Sequence, residues 1–511
     1  MRKTLVALFL LIPSLALAQA LPNINLLSVR YNSQKTAAKA DGELKAQLDD
    51  VDKAIADARR AGNTGEMRRQ FAKGMALLNT NAWTPALEYR HSLALRSDRT
   101  VLDSSLPYTF RIEQIYRPSI ELTPALSTTV SIRPRTAPAR PGATAPPAQP
   151  RVLGTFDGMS RDLRESPFAV DVDLAGIADG AYVLEAEVLD GTTSLGVASL
   201  GVFLHKGLDA RLKALESAAA SVAEGVRADV VYPADVIKNV NRGRVELGAF
   251  NVPNEMAKAE AILASARGGK DPFKGRTGDF ERHYVLQGAN EVMPYRVYVP
   301  KAYAASKATP LVIALHGLGQ NEDSFFDSYS QRPPQLAEQH GFLMAAPLGY
   351  RPDGFYGSPI MGVADAASRR KSEYSEKDVL EVVRLMKAAY NVDESRIYLM
   401  GHSMGAIGTW LLGSKYPQMW AALVPFSGTG SPALAEAMKG IPQLVVHGDA
   451  DNTVNVAGSR NMVAALKKAG AHVTYIEVVG GSHTDMVVPN LPKAFEFMAA
   501  QKKGAPQTSQ K

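Results

Sequence analysis

Gly401-His402-Ser403-Met404-Gly405 stands between two apolar runs, Ile397–Met400 before it and Ala406–Trp410 after it. By composition alone, a Gly-x-Ser-x-Gly pentapeptide arises by chance roughly 0.2 times in a chain of this length. What flanks it therefore decides its meaning. The run before it reads as a buried strand and the run after it as a helix. A serine on a sharp strand-to-helix turn has glycine on both sides because the turn leaves little room for side chains. Such a turn projects the hydroxyl away from the sheet. It also aims the next backbone N–H, that of Met404, at the place where an oxyanion would form. The other role open to Ser403 is a helix N-cap.

A serine hydroxyl is a poor nucleophile until a base removes its proton. The chain has nine histidines. His483 lies in "VVGGSHTD", a glycine-rich loop after the last strand-like run, from which an imidazole could reach back over Ser403. His447 and His316 lie in His-Gly turns entered straight from buried strands and read as structural. His402 neighbours Ser403 but should point elsewhere. The imidazole needs an acid to fix its tautomer and stabilise its charged form. "VVHGDADNTV" offers Asp449, straight off a strand, and Asp451, further into the loop with more reach; Asp451 is the favoured one. A second oxyanion donor should come from the loop after "PLVIALHG", where glycines let backbone approach closely, and the N–H of Leu318 is the candidate.

These residues need a frame. From about residue 273 to 502, short apolar runs alternate with amphipathic helical ones: "PLVIALHG", "GFLMAAP", "RIYLMG", "AALVPFSG", "PQLVVHG" and "HVTYIEVVG" read as strands. "SEKDVLEVVRLMKAAY", "AIGTWLLGSKY" and "SRNMVAALKKAG" read as helices, and "HYVLQGANEVMPYRVYVP" as a hairpin. That rhythm predicts an α/β fold with a doubly wound, mostly parallel sheet, helices on both faces, and reactive groups at the carboxyl ends of the strands.

The rest of the chain reads differently. Residues 21–100 form a helical hairpin region: Leu44, Leu48, Val51 and Ile55, then Met67, Phe71, Met75 and Leu78, recur at helical spacing on either side of "AGNTGE". Residues 101–206 read as several short strands, a small β-sandwich, interrupted by the Pro-rich loop 134–150. Residues 207–272 return to helical composition as a connector, and 503–511 is expected to be a disordered tail. No internal repeat of fixed period is present.

Composition narrows the function classes. The chain has 511 residues, 46% hydrophobic and 21% charged, enough for several globular domains. The net charge is only +6, and no Lys/Arg block is interleaved with aromatics, so no nucleic-acid partner is expected. There is no cysteine, which excludes disulfides, a cysteine nucleophile and thiolate metal sites. "MRKTLVALFLLIPSLALAQA" reads as a signal peptide, residues 1–20, pointing to export to the periplasm or the medium. No run is long and apolar enough for an integral membrane span. His-Glu-x-x-His, Gly-x-Gly-x-x-Gly and a phosphate-binding loop are all absent, so neither a metal nor a cofactor is expected.

"LHGLG", "GHSMG", "HGDADNTV" and "GGSH", in that order, resemble the α/β-hydrolase superfamily over residues 276–500. The likeness is closest to the secreted feruloyl-esterase and polyhydroxybutyrate-depolymerase-like branches and to the prolyl-oligopeptidase-like catalytic domain. "LHGLGQ" is also similar to the carboxylesterase/phospholipase branch. The resemblance implies that the aspartate of His-Gly-x-x-Asp-x-x-Val, here Asp451, is the acid of a catalytic triad and that the loop histidine, His483, is its base. One departure is Ala406, where many relatives carry glycine. The resemblance covers under half of the chain.

The function these observations suggest is hydrolysis of carboxylic esters through a Ser403-His483-Asp451 triad and an acyl-enzyme, with Leu318 and Met404 as oxyanion donors. The substrate would be a small-molecule or polymer-linked ester. In the segment Leu348–Tyr374, which reads as a long loop near the active face, Tyr350, Phe355, Tyr356 and Tyr374 could line an acyl or aryl pocket. A serine peptidase uses the same triad, but the first half of the chain lacks the blade repeats of an oligopeptidase propeller. A third reading makes the N-terminal half a protein- or polymer-binding module beside a hydrolase-like domain.

Overall fold

The computed structural model describes residues 24–80, 82–120, 126–135, 149–245, 247, 250–359 and 366–504. The expected signal peptide, most of the Pro-rich loop and most of the expected tail lie outside them. The described residues fall into two compact units. One comprises Thr84–Arg211 and Ile237–Phe250; the other holds residues 24–83, 212–236 and 251–504.

The larger unit is built on an eight-stranded sheet. From one edge its order is Val473–Val478, Gln443–Gly448, Ala422–Phe426, Val392–His402, Thr309–Leu315, Leu343–Pro347, Glu291–Val299 and Gly278–Leu286. The first six run parallel, and the last two join antiparallel as a hairpin at the edge. Thr309–Leu315, Leu343–Pro347, Ala422–Phe426 and Gln443–Gly448 are buried at every position. Continuous apolar runs of this kind fit strands covered on both faces. One face packs Phe325, Phe326, Leu336, Met344, Tyr398 and Phe495 together. The other is covered by the helices Ala366–Ala389 and Met404–Lys415, which bury Val379, Val382, Met386 and Trp410. Trp410 also donates its Nε1–H to Gln443 Oε1 at 3.0 Å, so its one polar atom is satisfied inside the core.

Chain order reverses around Thr309–Leu315. The next strand, Leu343–Pro347, lies on one side of it; the one after, Val392–His402, lies on the other, pairing Leu315 with Gly401. Loops leaving the carboxyl ends of these two neighbours in opposite directions open a crevice between them. The loop after Leu315 and the turn after His402 meet there.

Two differences from the sequence-based expectations stand out in this unit. The helix before Val392 begins at Ala366, so part of the segment that reads as a loop up to Tyr374 is helical. "AASRRKSEY" is composed mostly of good helix formers, and they extend the amphipathic helix backwards. The N-terminal region has three helices, Ile24–Ala38, Gly42–Arg60 and Thr64–Thr80. The first was missed because its amphipathic pattern is weak. It contributes Tyr31, buried against Phe71 with ring centroids 5.8 Å apart, to a core with Leu48, Val51, Ile55 and Met67. A side chain at Gly74 would begin 2.4 Å from the Tyr31 ring, so this contact requires glycine.

The smaller unit contains a three-stranded antiparallel sheet, in the order Leu93–Ser97, Tyr108–Gln114, Phe168–Val172. It also contains a five-stranded sheet in the order Val101–Leu102, Thr193–Leu204, Gly180–Asp190, Leu126–Pro134, Arg151–Met159. Alternate residues Leu126, Val130 and Ile132 are buried along one strand, and Phe110, Ile112, Val170, Leu184 and Val202 from the two sheets join them in one apolar cluster.

Candidate active site

Ser403 sits between the strand ending at His402 and the helix starting at Met404, with φ 58° and ψ −117°. A positive φ strains any residue with a Cβ, and such strain persists only where the surroundings impose it. Here they do. The Ser403 N–H donates to Phe426 O at 2.9 Å, while its carbonyl accepts from Ala406 and Ile407 N–H at 2.9 and 3.1 Å. The flanking glycines are steric necessities. A Cβ at Gly401 would lie 2.3 Å from Gly405 O, and one at Gly405 only 1.9 Å from Leu315 O. The turn can close this tightly against the neighbouring strand only without those side chains.

The structure brings His483 and Asp451 together. His483 Nδ1 lies 2.7 Å from Asp451 Oδ2. His447 Nε2 approaches the same oxygen at 3.1 Å, and Asp451 Oδ1 accepts the Thr453 and Val454 N–H groups at 2.8 and 2.9 Å. Burial alone would raise this carboxyl, but the hydrogen bonds from His447 and His483 outweigh it and hold it well below the usual carboxylate range. An ionised Asp451 accepts the Nδ1 hydrogen, so a neutral His483 carries its lone pair on Nε2, the atom a base would use. Asp449 is engaged elsewhere: its Oδ1 accepts the Gly480 N–H at 2.6 Å.

His402 does more than flank the serine. Its ring centroid is 4.8 Å from that of His483, and its Nε2 lies 2.8 Å from the His483 carbonyl. A carbonyl can only accept, so Nε2 carries the hydrogen. In the neutral ring Nδ1 then accepts, and the Tyr329 hydroxyl donates to it at 2.8 Å. Burial, followed by the neighbouring His483, pushes His402 down to about 4, consistent with a neutral ring. The Ser427 hydroxyl donates to the same His483 carbonyl at 3.0 Å. His483 is thus held at its backbone by His402 and Ser427, and at its ring by Asp451.

The loop after Leu315 runs beside the serine. A Cβ built on Gly317 would be 3.5 Å from Ser403 Cβ. The Gly317 N–H donates to Gln320 Oε1 and the Gly319 N–H to Pro352 O, each at 2.8 Å. Between them the Leu318 N–H has no hydrogen-bond partner among the described residues. Nor has the Met404 N–H, the first of its helix, whose turn has no acceptor to offer it.

The aromatic residues expected to line a pocket differ in their burial. Tyr356 is fully buried, and its hydroxyl donates to His316 O at 3.2 Å, at the base of the Leu318 loop. Its ring fills the space that side chains at Gly349 and Gly408 would need. Phe355 is buried as well. The physical reason is a backbone that turns inward: Phe355 and Tyr356 have φ of 59° and 51°, and the Tyr356 N–H is held by Ser375 Oγ at 2.9 Å. Tyr350 is half-buried, with its hydroxyl 3.2 Å from Glu291 Oε1 and the Arg351 guanidinium 4.0 Å from its ring centre. Tyr356 therefore braces the loop that carries Leu318.

Sequence reasoning missed His402 and His447 as positioning residues. The available signals were a histidine immediately before the serine and one in the His-Gly turn four residues before Asp451.

Residues 287–511 match the family model described as Esterase, putative esterase. Feruloyl esterase B of Neurospora crassa is 31% identical over 150 residues, 28% of this chain and 47% of that protein. A bifunctional acetylxylan esterase/xylanase of Neocallimastix patriciarum is 30% identical over 177 residues, 35% of this chain and 23% of that protein. The match thus spans less than half the length of either relative. A ferulic acid esterase structure from Anaeromyces mucronatus, 18% identical, aligns with a TM-score of 0.36 over 45% of this chain and 93% of that one. Over residues 287–511 the chain is thus similar to a family of putative esterases, which includes the matched parts of feruloyl and acetylxylan esterases.

Proposed function

We propose that this protein hydrolyses carboxylic esters by two-step acyl transfer. The observation that carries the proposal is the 2.7 Å contact between His483 Nδ1 and Asp451 Oδ2, with the His483 carbonyl held by His402, the neighbour of a serine in a strained strand-to-helix turn. Ser403 Oγ attacks the ester carbonyl while His483 Nε2 takes its proton. The N–H groups of Leu318 and Met404 receive the oxyanion, where one such donor is worth about 3–4 kcal/mol. The tetrahedral intermediate expels the alcohol, protonated by His483. Water, deprotonated by the same nitrogen, then releases the acid and regenerates Ser403.

The names of the relatives suggest aryl-acid or acetyl esters, free or carried on a polymer, as substrates. Export is proposed with this activity on the N-terminal sequence, and a role for the N-terminal half in protein or polymer contact is proposed beside it. No described helix is long and apolar enough to cross a membrane. The test compares p-nitrophenyl acetate and methyl ferulate with a p-nitroanilide amide. Ester turnover without amide turnover is the expected result. Equal amide cleavage would replace the esterase reading with a peptidase, and no turnover of any of the three by folded protein would contradict it.

A further inference from the structure

A second cluster of chemistry-bearing side chains lies in the larger unit, on the antiparallel edge of the sheet. Glu281 and His283 are two residues apart on the strand Gly278–Leu286, so their side chains share one face. Glu255, in the first turn of the helix Val252–Ala266, joins them. One ligand atom from each of the three lies within 4.8 Å of the other two.

His283 is prepared in a specific way. Its backbone N–H donates to Asp229 Oδ1 at 2.8 Å, and its ring Nδ1 lies 3.2 Å from the same oxygen. The Asp229 carboxylate is fully buried and can only accept, so Nδ1 carries a hydrogen. In the neutral ring Nε2 then presents a lone pair. The His283 side chain is only 4% exposed, Nε2 has no hydrogen-bond partner, and its neighbour is Glu281 Oε1 at 3.7 Å. Tyr232 lies against the ring, with centroids 3.9 Å apart. In that tautomer His283 Nε2 and Glu281 Oε1 present lone pairs toward each other in a buried place. A histidine ligand whose other nitrogen is held by a carboxylate is the usual outer support of a metal site.

Lys258 supplies part of the missing positive charge. Its Nζ lies 2.7 Å from Glu255 Oε1 and 2.7 Å from Glu281 Oε2. One ammonium faces two carboxylates, and neither of its contacts reaches His283 Nε2, which has no hydrogen-bond partner. Its side chain is 46% exposed, so it can swing into water and open a path to the cluster.

We propose that Glu255, Glu281 and His283 bind a divalent transition-metal cation of the zinc class, with Lys258 as the displaceable occupant of the same carboxylates. One imidazole nitrogen and two carboxylates are a donor set that zinc accepts, with water completing the coordination. The cation would tie the helix Val252–Ala266 to the edge strand, and would therefore stabilise the folded chain. No motif reveals this site, because its ligands come from a helix and a strand that are distant in sequence.

The test uses the full chain without an affinity tag, stripped with EDTA and titrated with zinc chloride by calorimetry, with melting temperature read in parallel. Wild type should take up one zinc per chain and melt several degrees higher with saturating zinc. Glu281→Gln and His283→Asn should each weaken binding at least tenfold. Lys258→Met, which removes the competing ammonium from a half-exposed position and should leave the fold intact, should bind at least as tightly as wild type. Should the ligand variants fail to fold, cobalt absorption bands in Lys258→Met serve as the readout of nitrogen and oxygen ligation. No stoichiometric zinc in wild type or Lys258→Met, or zinc binding unchanged in Glu281→Gln and His283→Asn, would overturn the proposal and leave a protonated His283 and Lys258 as the charges of the cluster. None of these readouts depends on ester turnover.

Discussion

Replacing Asp451 with asparagine tests the geometry at its tightest point. The carboxylate accepts four hydrogen bonds: two backbone N–H groups at 2.8 and 2.9 Å on Oδ1, and His483 and His447 at 2.7 and 3.1 Å on Oδ2. An asparagine amide has one accepting end. Turning its NH2 toward the histidines sets donor against donor and drives His483 to the tautomer with hydrogen on Nε2, which cannot take a proton from Ser403. Turning it toward Thr453 and Val454 preserves the tautomer but leaves two backbone donors unmet. Each lost bond to a charged acceptor is worth about 1.5–3 kcal/mol, so two cost about 3–6 kcal/mol. At about 1.4 kcal/mol per factor of ten, kcat for a p-nitrophenyl ester should fall by about 10²–10⁴, with KM little changed. Asp449→Asn is the control, since that carboxylate caps the Gly480 N–H, and it should keep kcat within about threefold. Asp451→Asn within tenfold of wild type, or Asp449→Asn as the inactive variant, would refute the assignment.

Two further outcomes follow from the surroundings of the site. His402→Phe removes the N–H that holds the His483 carbonyl, so kcat should fall about tenfold, whereas Tyr329→Phe leaves one buried nitrogen unpartnered and should cost about 1–3 kcal/mol in urea unfolding with a smaller loss of rate. Asp378 is fully buried; burial raises its carboxyl to about 6 against the lowering effect of the Tyr284 hydroxyl at 2.5 Å. A carboxyl raised on folding stabilises below its unfolded value and loses that contribution as pH rises through about 6, so wild type should lose about 2 kcal/mol relative to Asp378→Asn between pH 4 and pH 7 in urea titrations at each pH.

Much of the larger unit was legible in the sequence because its signals are local. Uninterrupted apolar runs such as Leu311–Leu315 separated by amphipathic helices specify a covered parallel sheet. Glycines at 401 and 405 announce a turn without room for side chains. What stayed hidden depends on partners distant in the chain. Tyr356 reads as an aromatic of a pocket-lining loop until its backbone turns inward and its hydroxyl meets His316. His402 and His447 look like turn residues until folding sets one on the His483 carbonyl and the other on Asp451. The helix Ile24–Ala38 has little amphipathic pattern of its own and is recognised only through the place Tyr31 takes against Phe71. Glu255, Glu281 and His283 become neighbours only when the helix Val252–Ala266 packs on the edge strand.

The most direct test of the central claim is covalent trapping. Purified protein would be treated with a fluorophosphonate, digested and mapped by mass spectrometry, alongside p-nitrophenyl ester turnover. A single adduct on Ser403 is expected, formed in step with loss of turnover and much more slowly in His483→Ala. A folded protein that acquires no adduct, or acquires it on another residue while Ser403→Ala keeps its turnover, would contradict it.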